Sequence, residues 1–216
     1  MLSPLRELLQ QYQLILASSS SQRKAIWRQI GLKFTTKASP FDEESVNPND
    51  FADASKFVEY LAHHKAEAVV RDLERNEQLK TIVVGADTVI VDNEKIIGKP
   101  HTHTKAIETL TRLSGRTHNV FTGVSIILVS SLQNKEGNRE ASFVSRTEVE
   151  FASLSEETIK SYVQSDEPLN KAGAYGIQGL GATLVKSIKG DYYNVVGFPI
   201  QEFCEKLEIL LRFENL

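Results

Sequence analysis

Residues 81–100, TIVVGADTVIVDNEKIIGKP, place a carboxylate between two β-branched apolar runs. Thr81 to Val84 reads as a buried strand running into Gly85-Ala86-Asp87-Thr88, and Val89 to Val91 reads as a second apolar run. Asp92 to Lys95 forms a polar turn that returns the chain through Ile96 and Ile97 to Gly98-Lys99-Pro100. An unpaired buried carboxylate is costly, so Asp87 needs a cation, a metal ion or a pocket open to water. Two readings fit. Asp87 is either a structural residue bonded to turn amides or a carboxylate at a strand end facing a site, where open α/β sheets place ligands. Lys99 favours the second, because the turn can carry it back toward Asp87.

The chain of 216 residues is 41% hydrophobic and 25% charged, as expected of one globular α/β domain. Its net charge of -3 argues against broad non-specific nucleic-acid binding. The one cysteine, Cys204, has no partner for an internal disulfide and reads as a buried helix residue, which suits a reducing, cytoplasmic setting. No apolar run approaches the roughly 20 residues of a membrane span, and MLSPLRELLQQYQ lacks the apolar core of a signal peptide.

The remaining segments alternate between strand and helix patterns. Ser3-Pro4 starts a short helix in residues 1–13, an extension ahead of a single domain spanning 1–216. Leu14 to Ala17 is a strand, Ser18 to Ser21 a hydroxyl-rich turn, and Gln22 onward a helix closed by Gly31. A strand, such a turn and a helix N-terminus can hold phosphate, with Ser18, Ser20, backbone N–H groups and Arg23 facing the anion. A serine-rich turn that merely caps a helix has the same pattern. Phe34 to Ala38 reads as a strand, residues 39–44 as an acidic loop, and a long helix carrying Lys65 starts at Asp53 or Ser55 and runs to about Gln78. Thr102 to Leu113 is a helix, His118 to Val129 and Ala141 to Phe151 are strands joined across 130–140, and Glu156 to Gln164 is a helix capped by Ser155. The loop DEPLNKAGAYGIQGLGATLV is long and punctuated by four glycines, with Lys171 and Gln178 its farthest-reaching polar side chains; such loops tend to carry function. Leu184 to Ile188 is a strand, Gly190 to Asn194 a turn, and Pro199 opens a final helix.

The blocks LASSSSQRK, VVGADT, IIGKP, LSGRTHNVFTGV, DEPLNKAGAYGIQG and GDYYNVVGFP, in that order from about Leu14 to the last helix, resemble those of the Maf family. These are nucleoside triphosphate pyrophosphatases, once described as septum-formation inhibitors. The resemblance implies an α/β fold of the Maf and ITPase-like kind: an elongated mixed sheet flanked by helices, with a cleft between two lobes. It implies hydrolysis of a triphosphate to monophosphate and pyrophosphate with a divalent cation, Mg2+ or Mn2+, and a homodimer. It makes Asp87 the catalytic carboxylate and pairs it with Glu43 as a metal ligand. Arg23, Lys65, Lys99 and Lys171 match its substrate-binding cations, and Thr88 and Gln178 match positions tied to base selection. GADT and YGIQG are similar to the forms acting on dTTP and UTP rather than on 7-methyl-GTP. Where the family has Pro-Arg-Arg, this chain has Ser21-Gln22-Arg23, so a specificity position is Gln22.

The chemistry suits these residue types. Attack at the α-phosphorus needs an oriented, deprotonated water and cations that neutralise the triphosphate. Two carboxylates can hold a magnesium ion together with phosphate oxygens. Arginine and lysine bind those oxygens, while Gln178 and Thr88 can bond a pyrimidine edge. The competing reading is a non-catalytic regulator that binds a nucleotide or nucleic acid in the same cleft. Retention of both carboxylates and of the cation positions favours the enzyme.

Overall fold

A computed structural model describes residues 5–73, 80–129 and 138–212. Seven strands form one mixed sheet in the order β2-β1-β3-β5-β6-β7, with β4 paired to β3. In chain order the elements are α1 (Arg6–Leu9), β1 (Tyr12–Leu16), α2 (Ser21–Gln29), β2 (Thr35–Thr36), α3 (Ala54–Arg71), β3 (Lys80–Asp92), β4 (Lys95–Ile97), α4 (His103–Leu113), β5 (Thr117–Val129), β6 (Arg139–Phe151), α5 (Glu156–Val163), β7 (Val185–Lys189), α6 (Tyr192–Val196) and α7 (Ile200–Arg212). β1 is parallel to both β2 and β3, and the remaining pairs are antiparallel.

The central strand is continuous. β3 crosses Gly85 to Thr88 without a break, because β5 pairs with it residue by residue from Thr81↔Val129 to Val91↔Asn119. Its other edge is interrupted. β1 leaves after Leu16↔Val84, where the Ala17 N–H still reaches the Val84 carbonyl at 2.8 Å. β4 joins only at Ile97↔Ile90. Asp87 and Thr88 lie in the gap between the two partners, beside the carboxyl end of parallel β1, where an open α/β sheet binds ligands.

Side-chain alternation divides the core around this gap. Ile82, Val84 and Ala86 pack with Trp27, Phe198, Phe203 and Leu207, bringing α2 and α7 onto one face. Ile90 lies farther along the same face with Leu110, Leu113, Ile159 and Val163 of α4 and α5. Thr88 separates the two groups, and this is the two-lobed division implied by the sequence. On the opposite face Val83, Val89 and Val91 meet α3.

α3 lies unusually close to the sheet. A Cβ added at Gly123 would stand 2.9 Å from the Glu59 nitrogen, and one at Gly85 would stand 2.8 Å from the Ala66 nitrogen. Both glycines therefore let helix backbone rest on strand backbone, which sets the distance from α3 to Asp87.

Several sequence expectations change. The strand expected at Phe34 to Ala38 shortens to Thr35–Thr36, an exposed edge strand. α3 ends at Arg71, and the remainder of the helix expected to about Gln78 falls partly outside the described residues. The turn expected at Gly190 to Asn194 becomes α6, whose first turn is capped by Asp191 accepting from the Tyr193 N–H at 2.9 Å. The N-terminal extension is not merely appended: Leu5 is 1% exposed and packs in the core with α7, because β1 already begins at Tyr12. Ser3 and Pro4, and most of the 130–140 connection, lie outside the described residues. Cys204 is buried on α7 as expected.

Gly123→Ala is expected to lower unfolding free energy by about 1–3 kcal/mol, since neither backbone can yield easily. An unchanged urea midpoint would contradict the close packing of α3.

Candidate functional site

The gap beside β3 opens into a polar cleft of about 400 Å³, lined among others by Ser18, Ser20, Arg23, Glu43, Lys65 and Asp87. Thr88, Lys99, Lys171 and Gln22 complete the sequence-predicted residues in its wall. Gln178 is not among them. It lines a second cavity of about 350 Å³, which shares Gln22, Lys171 and Val196 with the first.

Lys65 joins the acidic groups. Its ammonium donates to Asp87 Oδ1 at 2.6 Å and forms an ion pair with Glu43 Oε2. The Lys65 and Asp87 side chains are each 12% exposed, so the carboxylate inside the sheet is compensated by an internal cation. Glu43 lies on a 3-10 turn, Glu43–Ser45, capped by the Asp42 side chain accepting from the Glu44 N–H. The preceding Phe41 packs its ring 5.4 Å from His64 and 6.4 Å from Tyr60, fixing the acidic loop to α3. Burial pushes the Glu43 carboxyl up. The Lys65 hydrogen bond and the charges of Lys65, Lys99 and Arg23 together outweigh this and hold it below its ordinary value of 4.5.

The hydroxyl turn is held by its own hydrogen bonds. Ser20 caps α2, accepting from the Arg23 N–H at 3.4 Å, and the Ser20 N–H donates to Ser18 Oγ at 3.2 Å. No acidic residue occupies the first turn of α2. The Arg23 guanidinium is held by the Gly197 carbonyl and by Thr88 Oγ1, both at 2.9 Å. Burial lowers its pKa while Asp87 and Glu43 oppose the shift; a guanidinium remains charged regardless. Gln22 Oε1 accepts from the hydroxyls of Ser20 and Ser21 at 3.3 and 3.2 Å, so it is tied to the same turn.

Thr88 stands apart from Gln178. Its hydroxyl accepts from Arg23 and lies 2.9 Å from that of Thr122, which donates to the Asn194 carbonyl. The geometry makes Thr88 a support for Arg23. Its neighbour Asp87 points to the opposite face of the strand, toward α3.

Other residues were not singled out by sequence. Tyr175, in the wall of the second cavity, bonds His118 Nε2 at 2.9 Å. Burial lowers the His118 pKa to about 4, opposed by Asp92, so its imidazole is neutral at physiological pH. Glu167 and Tyr162 bind the glycine-rich loop. The only sequence signal for them was the density of glycines, which marks close approach to another group.

Among the described residues no three His, Cys, Asp or Glu side chains form a group able to hold a metal ion. Any metal here would rely on Asp87, Glu43 and substrate oxygens.

Residues 13–210 match the family described as Maf-like protein. The chain belongs to the Maf family. A dTTP/UTP pyrophosphatase from Symbiobacterium thermophilum is 44% identical over 196 residues, covering 90% of this chain and 92% of that one. A dTTP/UTP pyrophosphatase from Clostridium novyi is 41% identical over 186 residues, covering 86% and 91%. A Homo sapiens protein described as a probable bifunctional dTTP/UTP pyrophosphatase/methyltransferase is 41% identical over 194 residues, which are 89% of this chain and 31% of the human one. This Maf chain thus spans about a third of the human relative's length. The solved Staphylococcus aureus Ham1 protein aligns over 94% of this chain at 13% identity and a TM-score of 0.39.

The Lys65 contact carries a pH prediction. The folded pKa of Glu43 is depressed, so its stabilising contribution is complete above about 4.5 and is lost as pH falls through the lower folded value. In Lys65→Met the hydrogen bond is gone and Glu43 should titrate at higher pH. Carbon-13 NMR of the Glu43 carboxyl measures both midpoints, and identical values would contradict the pairing.

Proposed function

We propose that this chain is a nucleoside triphosphate pyrophosphatase acting on dTTP and UTP. The observation that carries the reading is the meeting of Asp87 and Glu43 on one cation, Lys65, in a cleft that also holds Arg23, Lys99 and Lys171. The names of relatives 40–44% identical over most of the chain support the same substrates.

The triphosphate would occupy the polar cleft, against the Ser18–Ser20 turn and the N-terminus of α2. Arg23, with its Nε anchored to a backbone carbonyl, presents a fixed charge; the lysines supply mobile ones. The base would enter the second cavity, where Gln178 offers a donor and an acceptor. Asp87 takes the proton from a water as its oxygen bonds the α-phosphorus; the bridging P–O bond breaks and pyrophosphate departs with the electron pair. Lys65, once released by the carboxylates, is placed to bond a phosphate oxygen.

Asp87 and Glu43 would hold the divalent cation, Mg2+ or Mn2+. Their convergence on the Lys65 ammonium supports this, since the pair meets positive charge at one point. When bound, such a cation offsets the charge of the phosphates. The family expectations of a homodimer and a cytoplasmic setting belong to this reading; among the described residues no helix is long and apolar enough to cross a membrane.

Asp87→Asn is expected to lower kcat by about 10²–10⁴ while the protein still folds, because Glu43 remains to pair with Lys65 and the amide keeps the shape but cannot accept the proton. Near-normal turnover would remove Asp87 from this role. The decisive assay is pyrophosphate release from dTTP, UTP, CTP and 7-methyl-GTP, with EDTA and with Mg2+ restored. Turnover of dTTP and UTP that EDTA abolishes supports the reading. A preference for 7-methyl-GTP overturns the substrates, and binding without turnover favours a regulator.

Gln22 should leave selection less sharp than arginine would, because neutral hydrogen bonds contribute roughly half as much as charge-assisted ones. Gln22→Arg is therefore expected to widen the preference for UTP over CTP. An unchanged profile would show that this position does not select the base.

A further inference from the structure

The loop that carries Gln178 is folded around a carboxylate. Glu167 Oε2 accepts from the Leu180 N–H at 2.9 Å, and Oε1 accepts from the Gly181 N–H at 3.2 Å. Oε1 also accepts from the Tyr162 hydroxyl at 2.9 Å, and the Tyr162 oxygen accepts from the Gly176 N–H at 3.2 Å. Two side chains thus gather three backbone N–H groups on either side of Gln178. Successive N–H groups that converge on one anion form a nest, here filled by the protein's own carboxylate.

The glycines make room for it. A Cβ at Gly179 would lie 2.7 Å from Glu167 Cδ, and one at Gly181 would lie 2.6 Å from the Tyr162 oxygen. Burial raises the Tyr162 pKa, with Glu167 adding to the shift, so the hydroxyl stays protonated and donates. Gln178 itself is exposed at the cavity wall, and its own side chain has no hydrogen bond among those seen for the described residues. Its position is inherited from the backbone beneath it.

We propose that Glu167, acting with Tyr162, is the positioning residue for base selection: it holds residues 176–181 in the form that presents Gln178 to the second cavity. This rests on the pyrophosphatase reading. Glu167 forms no hydrogen bond or ion pair with Asp87 or Lys65 and takes no part in the proton transfer; its charge acts on Lys171, and Gly179→Ala leaves that charge in place. Its loss should therefore act on recognition of the base and leave the chemical step alone.

Two variants attack the contact from opposite sides. Glu167→Gln replaces one acceptor oxygen with an NH2 that faces N–H or O–H donors. Gly179→Ala keeps the carboxylate and intrudes on it. For both, KM for UTP is expected to rise about tenfold with kcat within about twofold, and the preference for UTP over CTP to fall about tenfold. Circular dichroism checks that each is folded. If Glu167→Gln does not fold, Gly179→Ala and Tyr162→Phe carry the comparison. An unchanged UTP to CTP ratio in the folded variants overturns the proposal, as does a fall in kcat at unchanged KM. If the natural protein releases pyrophosphate from no triphosphate, the pyrophosphatase reading fails by itself. Calorimetric titration with UMP then decides the positioning role: weaker binding to Gly179→Ala supports it, and equal binding overturns it.

Discussion

The ammonium of Lys65 between Asp87 and Glu43 is the contact on which the rest of the site depends. A carboxylate in the middle of a thirteen-residue strand, flanked by Val83, Val84, Val89 and Ile90, is tolerable only with a charge beside it. Removing one partner of a buried ion pair typically destabilises by about 3–5 kcal/mol. The requirement reaches outward. Lys65 arrives because α3 rests on Gly85 and Gly123, and Glu43 arrives because Phe41 packs against that same helix. One helix therefore sets the sheet's packing distance, supplies the cation and fixes the loop of the second carboxylate.

The interrupted edge of β3 explains why the cleft forms at this place. A strand fully paired on both sides would leave no room for a ligand beside residue 87. Here β1 departs at Leu16, turns through the serines and starts α2, while β4 returns only at Ile97. The space between them receives the serine turn from one side and Lys99 from the other. The continuous pairing of β5 across the same residues keeps the strand rigid, so Asp87 and Thr88 project to opposite faces with fixed roles.

Much of this was legible in the chain itself. The β-branched runs marked β3, the carboxylate inside them called for a cation, a metal ion or a pocket open to water, and the structure supplies Lys65 and a cleft; the serine turn was legible as the cap of α2. Asp87 does not lie at a strand end, because β5 pairs across Gly85 to Thr88; its cation, Lys65, lies 22 residues away in sequence, and no local pattern reveals that. Thr88 could be grouped with Gln178 only by family likeness. Strand alternation and its bond to Arg23 give it another partner, and those depend on which face meets α6. Glu167 and His118 were illegible for a related reason: their partners, Tyr162 with the Leu180 and Gly181 N–H groups for Glu167 and Tyr175 for His118, are brought to them by tertiary packing. The short β2 and the helical α6 likewise reflect local capping and edge position more than composition.

The bond from Arg23 to the Gly197 carbonyl links residues 174 positions apart in sequence. Arg23 leaves the ribosome 174 residues ahead of its acceptor. During synthesis at about 5–20 residues per second, the growing polypeptide therefore carries the serine turn for many seconds without the carbonyl that orients its arginine. The nascent protein can assemble much of its sheet in that interval but cannot fix the Arg23 guanidinium in its final place. The geometry around Arg23 is thus completed only once Gly197 has been translated.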